Sequence, residues 1–267
     1  MALTVDPHVT EWLNLVLRWI HVFSGILWVG TTYYFTWLDA QFANEADEVW
    51  MVHSGGFYVV QKQKQLALLP RKLHWFKWEA AVTWLSGIAL LTLMYYMGGI
   101  LLDDSVSRIS LVAGILIGSG VIAGAWFVYD AMVRSAIARS GTLFASVSFL
   151  LVLLVAFVLT HLLSARAAYI HVGAALGTIM TANVWERILP AQRKLVAALQ
   201  AGQTPDATLA AQAKLRSKHN TYIVVPLVFL MISNHYPVAT YGSDYNWEIL
   251  GALVLVGWGA AKLIRRA

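Results

Sequence analysis

LNLVLRWIHVFSGILWVGTTYYFTWL, residues Leu13–Leu38, decides the fold. It is apolar for longer than the roughly 20 residues a helix needs to cross a hydrocarbon core of about 30 Å, and Arg18 and His21 are its only basic groups. Outward from it the pattern repeats at Trp78–Tyr96, Ile109–Tyr129, Leu143–Leu163, Ala167–Trp185, Tyr222–His235 with a few flanking residues, and Trp247–Ile264. The first run continues through Gly25, Gly30 and polar threonines instead of a small-residue cleavage site, so it reads as a retained helix and not as a signal peptide. Of the 267 residues, 59% are hydrophobic and 12% charged, about half the charged share of a soluble domain. A charged surface cannot be built from so few groups. The expectation is an all-α, polytopic membrane bundle of about seven transmembrane helices, with residues 1–267 forming one integral domain.

The basic residues orient the bundle, because connectors on the cytoplasmic side hold the excess of Lys and Arg. One side receives Lys62, Lys64, Arg71, Lys72 and Lys77, then Arg134 and Arg139, then Arg187, Arg193, Lys194, Lys214, Arg216 and Lys218, and finally Lys262, Arg265 and Arg266. The other receives Arg18, Arg108 and Arg166. This predicts an N-terminus outside and a C-terminus inside. It also absorbs the net charge of +5 into topology, so no nucleic-acid partner is expected. Two connectors on the basic side, 39–77 and 186–218, are long enough to form interfacial helices. The first holds an acidic stretch at Glu45–Glu48; the second reads as a helical hairpin broken at Gly202 and Pro205. Glycines four apart (Gly114 and Gly118, Gly120 and Gly124, Gly173 and Gly177) permit close helix approach. The same spacing leaves room for a flat cofactor, and it keeps homo-oligomerisation open.

Orientation sorts the eight histidines. His8 is terminal. His53, His74 and His219 fall on the basic side, where capping is one role and binding an anion or relaying protons another. His21, His161, His171 and His235 fall in the outer parts of four helices, and ionisable groups at such depth face the interior and need partners. Cysteine is absent, which excludes disulfides, Cys-ligated iron–sulfur clusters and covalent c-type haem. A bis-histidine haem b stays compatible. The four histidines predict one or two such haems, paired as His21 with His171 and His161 with His235, with Arg18 and Arg166 placed to neutralise propionates or to snorkel. Interhelical hydrogen bonding is the alternative role. No nucleotide-binding glycine motif, P-loop or zinc-protease signature is present, and no catalytic residue stands out.

Three stretches carry a resemblance: HVFSGILWVG around His21, HVGAALGTIMTANVWERILPAQRK from His171 to Lys194, and RSKHNTYIVVPLVFLMISNHYP from Arg216 to Pro237. Together they resemble the N-terminal membrane domain of the bacterial urate oxidase, or urate hydroxylase, family. The resemblance implies oxidation of urate to 5-hydroxyisourate with electrons leaving toward a c-type cytochrome, which typical long members carry as a further domain. No Cys-containing haem attachment sequence stands in this chain, so the expected acceptor is a separate cytochrome c or the quinone pool. Two rivals share the residues: a b-type haem electron carrier or quinone oxidoreductase without urate activity, and a transporter with a helix broken at Pro226.

Overall fold

The computed structural model describes residues 6–43, 48–63 and 73–266. Eight α-helices follow in chain order: α1 (Pro7–Ala43), α2 (Trp78–Leu91), α3 (Leu111–Arg134), α4 (Gly141–Leu162), α5 (Ala165–Ala182), α6 (Leu189–Gln200), α7 (Ala207–Ile232) and α8 (Asn246–Ile264). The last turn of α2 widens into a π turn over Thr92–Tyr96, and a second π turn, Asn183–Ile188, joins α5 to α6 without a break. Serines start three helices where their hydroxyls accept an otherwise orphan amide: Ser110 from Ala113, Ser140 from Leu143 and Ser164 from Ala167. Asp206 does the same for α7, and hydrogen bonds from the Thr208 side chain and amide hold its carboxyl below the usual range.

Among the described residues, six helical stretches are long and apolar enough to cross a membrane: α1, α2 with its π turn, α3, α4, the continuous α5–α6 run, and α8. The segment expected at Tyr222–His235 is only the apolar second half of α7, preceded by a polar half from Ala207 to Asn220, and it closes in a short turn at Ser233–His235. At 37 residues, α1 runs about 55 Å. Its exposed face carries Trp12, Trp19, Phe23 and Ile26.

Helix α5 is central. Eleven of its 18 residues are buried, because α2, α3, α4 and α7 all pack on it. Helix α1 lies along α2, and α8 closes the bundle against α4 and α7. The core gathers Leu91, Leu101, Leu159, Leu163, Tyr169 and Leu250. Pro226 does not break α7: its ring packs on α8 where Gly257 leaves room, since a Cβ there would lie 2.8 Å from the proline Cδ.

The connector 39–77 departs from its expected interfacial helices. Its first residues finish α1, and β1 (Glu48–His53) then pairs antiparallel with β2 (Gly56–Gln61). Positive φ at Ser54 (51°) and Gly55 (76°) makes the two-residue turn that matches strand twist. The flanking Val, Trp, Phe and Tyr side chains favour strand over helix. Glu45, Lys64, Arg71 and Lys72 lie outside the described residues. The connector 186–218 is a helical hairpin, turning at Gly202 with φ of 67°.

Candidate functional site

Polar side chains gather at both ends of the bundle. At the end where α5 begins, His171 is fully buried. Its Nδ1–H donates to the Ala167 carbonyl at 2.7 Å, which leaves Nε2 to accept the Tyr96 hydroxyl at 3.1 Å. The ring edge rests on Gly118, where a Cβ would lie 2.6 Å from Nε2 and from Cδ2. The Tyr95 ring stands edge-on to it at 6.1 Å. His21 docks elsewhere: its Nδ1–H donates to the Thr83 carbonyl at 2.9 Å, and its Cε1 edge faces Gly87. His161 is exposed, with Nδ1 on the Phe157 carbonyl at 2.7 Å and its ring on Phe157, and His235 is exposed too. Arg18 is exposed and bonds Asn14 at 3.0 Å; Arg166 donates to Asn234 at 3.0 Å.

A bis-histidine haem needs two imidazoles facing each other across one iron, each free at the ligating nitrogen. Three of the rings donate Nδ1–H to a carbonyl, the second bond that a histidine ligating through Nε2 makes. The expected pairs are not formed, however. His21 meets α2 at Thr83–Gly87 and His171 meets it at Tyr95 and Tyr96, positions separated by about 13 Å of helical rise from Gly87 to Tyr96. Tyr96 and Gly118 fill the space at the Nε2 of His171, and the exposed rings of His161 and His235 share no hydrogen bond among the described residues. The present geometry therefore does not fit a porphyrin at these pairs.

At the opposite, basic end, α3, α4, α5, α7 and α8 line a partly open cavity of about 860 Å³. Apolar side chains such as Val121, Val152, Val172 and Val254 line most of it, and Tyr129, Lys218, His219, Tyr222 and Lys262 line its basic end. Behind that end lies a buried chain of hydrogen bonds. Asp130 accepts from Arg187 through Nε at 2.8 Å and Nη2 at 2.6 Å, from Arg216 Nη2 at 2.7 Å, and from Arg134. Arg216 Nη1 donates to Asn183 Oδ1 at 3.3 Å, and Asn183 Nδ2 donates to Asn220 Oδ1 at 2.9 Å and to the Tyr129 hydroxyl at 3.0 Å. The Tyr129 hydroxyl meets His219 Nδ1 at 2.8 Å. Trp126 lies under the Arg187 and Arg216 guanidiniums, and Phe144 stacks on His219 at 4.7 Å and 16°. Three arginines against one carboxylate, with two lysines at the cavity, set a positive field there.

The sequence placed Arg187 and His219 on this side but set neither Tyr129 nor Asp130 in a site. The periodicity of α3 held the missing signal, since Trp126, Tyr129 and Asp130 share one face at spacings of three and four. The outcome for the glycines is mixed. Gly118 seats His171, whereas Gly120 and Gly124 have no heavy atom within 4 Å of a built Cβ, and Gly124 lines the cavity.

An apolar bundle with helices of membrane-crossing length is the framework of a membrane-associated protein. The chain belongs to the urate oxidase N-terminal family, whose model matches residues 7–265, and is thereby classed among the enzymes of the urate oxidase and hydroxylase group. No curated protein and no solved structure matches it.

Proposed function

We propose that this protein spans the bacterial inner membrane, binds urate in the basic-end cavity, oxidises it to 5-hydroxyisourate, and passes two electrons to a c-type cytochrome or the quinone pool. The observation that carries the reading is the cavity itself, apolar along its walls and closed at one end by His219, Tyr129 and the arginine-rich chain. Urate is a planar anion at neutral pH. The apolar walls and the Phe144–His219 stack suit its faces, and Lys218 and Lys262 suit its charge. The balance is urate plus water giving 5-hydroxyisourate, two protons and two electrons, so the acceptor must take both electrons while a hydroxyl from water bonds to C5. With the basic end inside, urate enters from the cytoplasm.

Purified protein in lipid nanodiscs, supplied anaerobically with urate and either oxidised cytochrome c or a soluble quinone, tests the reading. Urate should be consumed with stoichiometric reduction of one acceptor, and His219→Gln should abolish turnover. Folded protein that consumes no urate with either acceptor overturns the activity; turnover that survives His219→Gln overturns the placement. An optical spectrum of the same preparation shows by its Soret band whether haem is bound.

A further inference from the structure

We infer that the chain of bonds starting at Asp130 fixes the tautomer of His219, so that the imidazole presents Nε2–H, a hydrogen-bond donor, to the cavity; this deepens the placement of urate there and rests on it. A carboxylate only accepts and a guanidinium only donates. Because Arg216 Nη1 lies on Asn183 Oδ1, that carboxamide has one orientation, with Nδ2 donating to Asn220 Oδ1 and to the Tyr129 oxygen. Asn220 anchors the same sense independently, since its Nδ2 reaches the Met180 carbonyl at 3.1 Å, a group that can only accept. The Tyr129 oxygen thus accepts a hydrogen bond from Asn183, and the Arg216 guanidinium, 5.1 Å from the centre of its ring, offers only further donors. One acceptor remains in reach of the hydroxyl proton, His219 Nδ1 at 2.8 Å. Nδ1 therefore holds the lone pair, and the neutral ring carries its proton on Nε2. Phe144, stacked on the ring, keeps it from turning. Nε2 has no protein partner among the described residues, and His219 lines the cavity.

The consequence is a rule of selection. Nε2–H of His219 is a donor, and Lys218 and Lys262, which also line the cavity, carry side chains that can only donate. They match a ligand whose polar edge accepts: the carbonyl oxygens and ionised nitrogens of an oxopurine anion. An aminopurine would set an exocyclic N–H₂ against a donor and leave both unpaired, and a buried unpaired polar group is what makes such rejection strong. Tyr129 and Asn183 act through His219 and are positioning residues.

The test is nitrogen NMR of the full chain in lipid nanodiscs with ring-¹⁵N histidine, His219 being assigned by the signals lost in His219→Gln. The wild type should show a protonated Nε2 and an unprotonated Nδ1. In Tyr129→Phe the Nδ1 resonance should move to the position of an unbonded acceptor, and the Kd for urate should rise roughly five- to thirtyfold, as expected when a bond worth about 1–2 kcal/mol loses its orientation. A proton on Nδ1 in the wild type, or an Nδ1 resonance unmoved by Tyr129→Phe, overturns the inference. Added urate that leaves a correctly protonated His219 undisturbed overturns the placement of the substrate instead. The two failures are thereby told apart.

Discussion

Asp130→Asn is the sharpest probe of the basic-end cluster, because it keeps the shape of the side chain and removes the single charge that three arginines share. The cost can be ranked from exposure. The Asp130 and Arg216 side chains are 7% and 6% exposed, whereas Arg187 is 35% and Arg134 62% exposed. Breaking a buried pair costs about 3–5 kcal/mol because the remaining charge is stranded, whereas an exposed pair contributes about 0–1 kcal/mol. Asparagine still offers one acceptor oxygen, so a loss near the lower bound, about 3 kcal/mol, is expected, which is more than a hundredfold in the unfolding equilibrium. Reversible unfolding in mixed micelles titrated with SDS, followed by the fluorescence of the 12 tryptophans, measures it. Arg216→Gln should cost nearly as much, Arg187→Gln less and Arg134→Gln least. The double variant Asp130→Asn, Arg216→Gln should lose clearly less than the sum of its singles. An Asp130→Asn protein within about 1 kcal/mol of the wild type, or an Arg134→Gln variant as damaged as Arg216→Gln, refutes the reasoning.

Two glycine comparisons use the same titration. In Gly118→Ala the new methyl would lie 2.6 Å from the His171 ring and 3.3 Å from the Tyr96 hydroxyl, an overpacking loss of about 1–3 kcal/mol. Gly120→Ala meets nothing within 4 Å and should gain about 0.5–1 kcal/mol from helix propensity; shifts of the same sign in both would contradict the packing described. Gly257→Ala drives a methyl to within 2.9 Å of the Pro226 backbone nitrogen, whereas Gly87→Ala meets only the tip of the His21 ring at 2.9 Å. The first should lose more stability than the second, since a ring tip can turn aside and a helix backbone cannot; the reverse order counts against it.

Most of the helices were legible in hydropathy, because a lipid-crossing segment must satisfy its backbone internally and cover itself in apolar side chains. The hairpin at 48–61 was legible too, in the Ser54–Gly55–Gly56 turn between β-branched and aromatic runs, but length alone suggested an amphipathic helix there. The histidines show what hydropathy withholds. Counting residues from a segment end gives depth, yet helices apolar on every side give no azimuth, so His171 in the core and His161 on the surface looked alike. The Asp130 cluster was hidden for another reason: its partners Arg187 and Arg216 lie 57 and 86 residues away. Only the packing of α3, α5 and α7 reveals which basic residue of the cytoplasmic tally faces inward.

Both polar clusters draw on π turns, Tyr95 and Tyr96 on one, Asn183 and Arg187 on the other. A π turn closes its hydrogen bonds one residue later than an α turn and so holds a residue more. Deleting one residue, Val184 for example, would let the stretch close as α-helix with the flanking helices at nearly their present orientation, and would take away the extra residue that lets the turn aim Asn183 and Arg187 at the cluster. Each cluster is thus tied to chain length at one turn, and a substitution scan would never sample that dependence.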